Sequence, residues 1–296
     1  MTEDLSHTYW IDPAEVPSAA VTFGSTAAMG EVRSKIVGAL ENDLPVLIQG
    51  DSGTGKEITA KFLHFCSSRR DAPFVKLNCA ATPGALLDSQ LFGHEPDAVK
   101  GARRTKRGLV EIAEGGTLFL EEIGEMDGAL QAKLLHLLES RQYKRASGSE
   151  ERPANVRIIC ATIVDLNALL EVQTFSRDLF ERLRGIHVQL VPLCERKEDI
   201  PQICEYLLGK LARQFGKESP QLACSALQRL QDRNWPGNLR ELENWIARIV
   251  IFGSEEVLGA ETARPVLAAV GANDWQHRVG HLREGVVRRQ GRYRGL

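Results

Sequence analysis

Residues 46–57 read VLIQGDSGTGKE. The first four residues form a short β-like run, and the residues after Lys56 open a helical pattern. Between them lies G-x-x-x-x-G-K, the spacing of a phosphate-binding loop. Gly50, Gly53 and Gly55 let the backbone turn tightly, so that the N–H groups of Asp51, Ser52, Thr54 and their neighbours can point at an anion beside a helix N-terminus. Lys56 is placed to reach the β- and γ-phosphates of a nucleotide. The generic motif then has Ser or Thr for Mg²⁺, whereas this chain has Glu57. A glycine-rich turn that merely carries a lysine is the alternative, and the strand-then-helix context argues against it.

Working outward, further β-like runs occur at FVKLN (74–78), TLFLE (117–121), VRIICAT (156–162) and IHVQLV (186–191), with helical patterns such as ALQAKLLHLLES (129–140) between them. Strands alternating with helices imply βαβ units and a parallel sheet covered on both faces. GGTLFLEEI (115–123) is an apolar strand that delivers Glu121 and Glu122 at its C-terminal edge, where open α/β sheets bind ligands. One carboxylate can hold Mg²⁺ and the other can orient an attacking water.

After Pro192 the patterns are helical only: IPQICEYLLGKLARQF, CSALQRLQD and NLRELENWIARIVIF. We expect an N-terminal extension over 1–22, an α/β core over 23–193, a helical lid over 194–270 and a disordered basic tail over 271–296. The chain has 296 residues, 43% hydrophobic and 26% charged, with a formal net charge of -2. That balance gives no global basic field for nucleic acid and no charge excess that would force disorder. MTEDLSHTYW lacks the basic start and apolar run of a signal peptide, and no run of ~18 apolar residues could span a membrane. The six cysteines form no Cys-x-x-Cys pair, which points to reduced, mostly buried thiols in a cytoplasmic protein.

GDSGTGKE, LFGHE (91–95), GGTLFLEEI, QAKLLHLLES (131–140), VRIICAT and NWPGNLREL (234–242) occur in this order. Together they resemble the central AAA+ ATPase domain of sigma-54-dependent transcription activators, from about Phe23 to about Phe252. The resemblance implies a AAA+ P-loop fold with a parallel five-stranded sheet and a small helical lid. It also implies ATP and Mg²⁺ as ligands, a homo-oligomeric ring with ATP between subunits, and remodelling of sigma-54 RNA polymerase. Lys56 matches the Walker A lysine, and Glu57 is common at its position in that family. Glu121 and Glu122 match the Walker B pair, with Glu121 toward the metal and Glu122 toward the water. Asn78 matches an asparagine that positions the catalytic glutamate. Thr162 lies in the sensor I segment, Arg182 matches one of two arginine fingers, and Arg240 matches sensor II. On its own residues, Arg240 sits in the first turn of a helix whose N-cap reads as Asn238, with Glu241 three residues on as in a capping box. There it can touch a phosphate or pair with an acid, and the resemblance favours the phosphate.

The chain departs from the family pattern at five places. The contact loop GAFTGA is DAVKGA (97–102) here, the Walker B Asp is Glu121, the sensor I Asn is Ile163, and the first finger is Ser176. The tail from Gly271 is shorter than a helix-turn-helix needs, so no specific DNA-binding domain is visible. Its arginines suit either a solvated tail or non-specific phosphate contacts. These changes predict weak hydrolysis and weak contact with sigma-54. The alternative they raise is a nucleotide-binding regulatory scaffold, or a remodeller of another client.

Overall fold

The computed structural model describes residues 9–96 and 105–252. Two helices, α1 (Ala19–Phe23) and α2 (Gly30–Leu40), precede β1 (Val46–Gln49) and α3 (Lys56–Phe65). Then come β2 (Phe74–Asn78), α4 (Gly84–Phe92), the short pair β3 (Gly93–His94) and β4 (Lys106–Arg107), α5 (Leu109–Ile112) and β5 (Thr117–Glu121). α6 (Gly128–Ser140) leads through β6 (Gln142–Tyr143) and β7 (Arg152–Pro153) to β8 (Arg157–Thr162). α7 (Leu166–Glu171), α8 (Arg177–Leu183) and β9 (Ile186–Gln189) complete the α/β part. Three longer helices follow: α9 (Ile200–Phe215), α10 (Cys224–Asp232) and α11 (Asn238–Phe252).

The main sheet has five parallel strands in the order β2-β5-β8-β1-β9. Successive side chains on a strand face opposite ways, and the two faces fill different layers. Leu47, Val75, Leu118, Leu120 and Cys160 pack with leucines of α4, α6 and α8. Val46, Ile48, Phe74, Phe119, Ile159 and Val188 pack with α2 and α3. Burial on both faces explains the near-continuous apolar runs of β1, β5 and β8. β2 is an edge strand, which is why its run alone carries an exposed charge in the middle, Lys76.

The register brings the strand ends together. Asn78 pairs with Glu121, Glu121 with Ala161, and Gln49 with Thr162. The loop after β1, the acids after β5 and the end of β8 therefore share one edge of the sheet.

In the helical part the buried residues recur at three- and four-residue spacing. α9 buries Ile200, Ile203, Cys204, Leu207, Leu208 and Leu211, and α11 buries Leu242, Ile246, Ile249 and Val250. Trp235 plugs the turn before α11, 2% exposed, and its indole N–H donates to Leu230 O at 2.7 Å. Among the described residues no helix is long and apolar enough to cross a membrane. All six cysteines are free thiols, but only Cys79, Cys160 and Cys204 are buried, whereas Cys66, Cys194 and Cys224 are exposed. The expectation of mostly buried thiols thus holds for half of them. The 97–102 loop, the 253–270 part of the lid and the 271–296 tail lie outside the described residues.

Candidate nucleotide site

The loop between β1 and α3 has the backbone that its glycines permit. Gly53 has φ +77°, and a Cβ there would lie 2.3 Å from Gly237 O. Gly55 sits at φ +105° immediately before α3. Neither position tolerates an ordinary side chain without strain. Lys56 begins α3, almost buried, and its ammonium donates to Gly50 O at 2.8 Å and Asp51 O at 3.2 Å. Burial pushes the Lys56 pKa down, against the opposing pull of Glu122 and Glu121. Thr54 Oγ1 closes the loop on Asp51 O at 2.8 Å.

A cavity of about 480 Å³ opens over this loop. Its floor is Ser52 to Glu57, and its acidic wall is Asn78, Glu121 and Glu122. Apolar lining comes from Val21, Ile203, Leu207 and the ring of Tyr206, whose hydroxyl is buried without a hydrogen-bond partner among the described residues. A cationic floor, an acidic wall and an apolar wall suit a ligand with a polyphosphate at one end and a flat apolar group at the other.

Glu122 stands at φ 52°, an uncommon conformation for a residue with a Cβ. Its Oε2 accepts the Ile163 N–H at 3.1 Å. The side chain of Ile163 cannot bond, but its backbone holds the same carboxylate. Glu121 meets Lys76 at 3.0 Å and Asn78 Nδ2 at 3.5 Å. Asn78 therefore faces Glu121 in this structure and not Glu122, because the in-register pairing of β2 with β5 sets those two side by side. Its Oδ1 caps the following turn through Ala80 N and Ala81 N. Glu57 pairs with Lys76 at 2.5 Å and Lys61 at 3.2 Å. Burial alone would raise the Glu57 pKa, but the two lysines outweigh it and hold the carboxyl below its usual range.

The helical part closes the site. Leu239 N–H donates to Gly53 O at 2.9 Å, and Arg240 reaches Ser52 Oγ at 2.9 Å, so the exposed guanidinium stands over the phosphate loop. Asn238 does not cap α11. Its side chain is spent on tertiary bonds, accepting Leu193 N–H at 2.8 Å and donating to Ser52 O at 3.0 Å. Glu241 does reach back, but it accepts the Gly237 N–H at 2.9 Å, while the Asn238 N–H donates to Trp235 O at 2.8 Å, so the expected capping box is not formed. Arg196, which motif reading missed, is 1% exposed behind the loop and donates to Thr54 O and Thr22 O.

Two anticipated residues lie elsewhere. Thr162 is fully buried at the end of β8 and its hydroxyl serves the turn at Val164. Arg182 is exposed on α8 and touches Leu138 O at 3.4 Å, away from the cavity. Ser176 caps α8, its hydroxyl accepting Leu179 N–H at 3.3 Å, and so has a structural use of its own.

Comparison with known proteins places these features in a family. The model of the sigma-54 interaction domain matches residues 22–189, and that of a AAA+ ATPase lid domain matches residues 194–277. The chain is 46% identical over 225 residues to the DNA-binding transcriptional activator HyfR of Escherichia coli, covering 76% of this chain and 34% of HyfR. It is 42% identical over 254 residues to the Nif-specific regulatory protein of Azotobacter vinelandii, covering 83% and 48% respectively. The structure of NtrX from Brucella abortus in complex with ATP superposes with a TM-score of 0.72 at 33% identity, over 90% of this chain and 60% of that one. The chain thus spans about a third to a half of the length of these curated relatives.

Proposed function

Because this chain belongs to the sigma-54 interaction domain family of AAA+ transcription regulators, we propose that it is an ATPase that works in transcription regulation. One observation carries the reading: Lys56, Glu121, Glu122 and Arg240 converge from β1–α3, β5 and α11 on a single cavity. ATP fits that cavity with its phosphates on the glycine loop and Lys56, and its base against Ile203, Tyr206 and Leu207.

The donor set also fits Mg²⁺, which binds through one or two carboxylates together with phosphate oxygens. Glu57 and Glu121 supply such carboxylates on the cavity wall. Among the described residues no group of three or more His, Cys, Asp or Glu could hold a metal unaided, so the phosphates would have to complete the shell. Bound there, the ion would neutralise charge developing on the transferred phosphoryl group.

Glu122 orients the attacking water, and the Ile163 N–H fixes one of its oxygens so that the other faces the cavity. Asn78 steadies the acidic wall through Glu121. Arg240 binds phosphate from the lid, which we place over residues 194–270, following in sequence a core over 23–193. Arg182, exposed and remote from its own cavity, reaches the nucleotide of a neighbouring copy in a homo-oligomeric ring. An arginine finger is worth roughly 10³–10⁵ in rate, so a chain with Ser176 at the other finger position hydrolyses slowly.

The test is thermal stabilisation by ATP in wild type and Lys56→Ala. The reading predicts a rise in Tm for wild type that the variant loses. Equal stabilisation of both would remove the site.

A further inference from the structure

The middle residue of β2 is a lysine facing the α2–α3 side of the sheet, since Val75 and Leu77 fill the other layer. Its ammonium lies 2.5 Å from Glu57 Oε2 and 3.0 Å from Glu121 Oε2. These carboxylates come from α3 and β5, and both line the cavity. Glu57 has a second cation in Lys61, which is itself shared with Glu15 at 3.0 Å. Among the described residues Glu121 forms its ion pair with Lys76.

We propose that Lys76 is a built-in counter-cation for Glu57 and Glu121, and that it sets how far nucleotide binding depends on Mg²⁺. The proposal rests on the nucleotide-binding reading above and deepens it. A phosphate chain entering this cavity meets two carboxylates that repel it. Either a divalent ion or a fixed ammonium can cancel that repulsion, and the ammonium is present without having to be recruited. Mg²⁺ must compete with Lys76 for the same two oxygens. With Lys76 in place, nucleotide binding therefore leans on Mg²⁺ much less than it would without the lysine. Without Lys76, the carboxylates face the phosphates unbalanced and the divalent ion becomes necessary. Lys76 is a positioning residue here, since it acts through the two glutamates.

A plain salt bridge that only fastens the edge strand to α3 makes a different forecast. Losing it would lower stability and leave the Mg²⁺ dependence unchanged. The experiment is titration of the full chain with a fluorescent ADP analogue, in EDTA and in excess Mg²⁺. It compares wild type, Lys76→Met, Lys76→Arg and the double variant Glu57→Gln with Lys76→Met. The proposal predicts that the ratio of Kd in EDTA to Kd in Mg²⁺ rises about tenfold or more in Lys76→Met, since charges a few ångströms apart near a protein surface interact by several RT and a tenfold change needs only about 2.3 RT. The arginine variant keeps the wild-type ratio, and the double variant returns toward it. An unchanged ratio in a folded Lys76→Met overturns the proposal, whatever its Tm. Should that variant not fold, Glu57→Gln alone decides. Its ratio falls below wild type if the proposal holds, and an unchanged or raised ratio overturns it. Failure of wild type to bind in either condition would instead sink the nucleotide-binding reading, and this one with it.

Discussion

Asn238→Ala should detach the lid from the phosphate loop, and its cost can be worked from the contacts. Asn238 is 3% exposed. Its Oδ1 is the acceptor for the buried Leu193 N–H, and its Nδ2 is a donor to Ser52 O. Removing the amide strands the Leu193 N–H, at roughly 1–3 kcal/mol for a buried unsatisfied donor. Ser52 is exposed, so its carbonyl finds water and loses little. The residue also sits at φ 52°, a region that Asn tolerates and Ala does not, which adds about 1 kcal/mol. The sum is about 2–4 kcal/mol, or a drop in Tm of roughly 5–15 °C for a domain of this size. Asn238→Asp separates the terms, because it keeps the acceptor for Leu193 N–H and the tolerance for positive φ but places an anion against Ser52 O. Urea denaturation measures the stabilities, and nucleotide titration measures how well the loop is held. The Ala variant should also bind nucleotide several-fold more weakly, because Leu239 and Arg240 lose their anchor. Stability within ~0.5 kcal/mol of wild type in Asn238→Ala would show that these contacts do not hold the lid.

Two further outcomes follow from the same structure. Burial pushes the His64 pKa down to about 4 against an ordinary 6.5, and its ring pairs with Thr117 Oγ1 at 2.9 Å. The folded state keeps His64 neutral while the unfolded chain protonates it, so its contribution is full above about pH 6.5 and is lost progressively toward pH 4, by up to ~3 kcal/mol. Denaturation from pH 7 to pH 4 should show that slope in wild type and less of it in His64→Gln. An identical slope in both would exclude His64 as the source. At the 97–102 loop, Val99 and Lys100 stand where the family has Phe-Thr, and loss of an aromatic anchor commonly costs about 2 kcal/mol or more. A binding assay with sigma-54 and a trapped ATP analogue should show weak binding by wild type. A gain is expected for the combined Asp97→Gly, Val99→Phe and Lys100→Thr variant, and tight binding by wild type would contradict this.

The fold was legible because its signals are local. Five apolar runs at βαβ spacing mark the five parallel strands, and the three helical patterns after Pro192 match the bounds of α9, α10 and α11. Strand ends proved harder: IHVQLV is strand only through Gln189. The glycine loop and the paired acids were likewise readable, since each motif needs its residues at fixed offsets along the chain. What sequence could not give were partners chosen in three dimensions. Asn238 looks like a cap from its neighbours, yet its amide bonds to Ser52 and Leu193. Ile163 looks like a lost function, yet its backbone N–H, which every residue but proline carries, holds Glu122. Arg196 belongs to none of the motifs, and only its buried hydrogen bond to Thr54 O shows that it braces the loop. Lys76 did leave a trace, as a lone charge in an apolar run, but only the register of β2 with β5 gives that charge its partners.

Turnover of ATP with Glu122 as the group that activates water is open to one direct measurement. The measurement is steady-state release of inorganic phosphate by the purified full chain and by Glu122→Gln, with ATP binding followed in parallel. Slow but measurable turnover is expected of wild type, and turnover at background of the variant, with ATP affinity retained. Equal turnover by the two proteins, or none by wild type at saturating ATP and Mg²⁺, would contradict it.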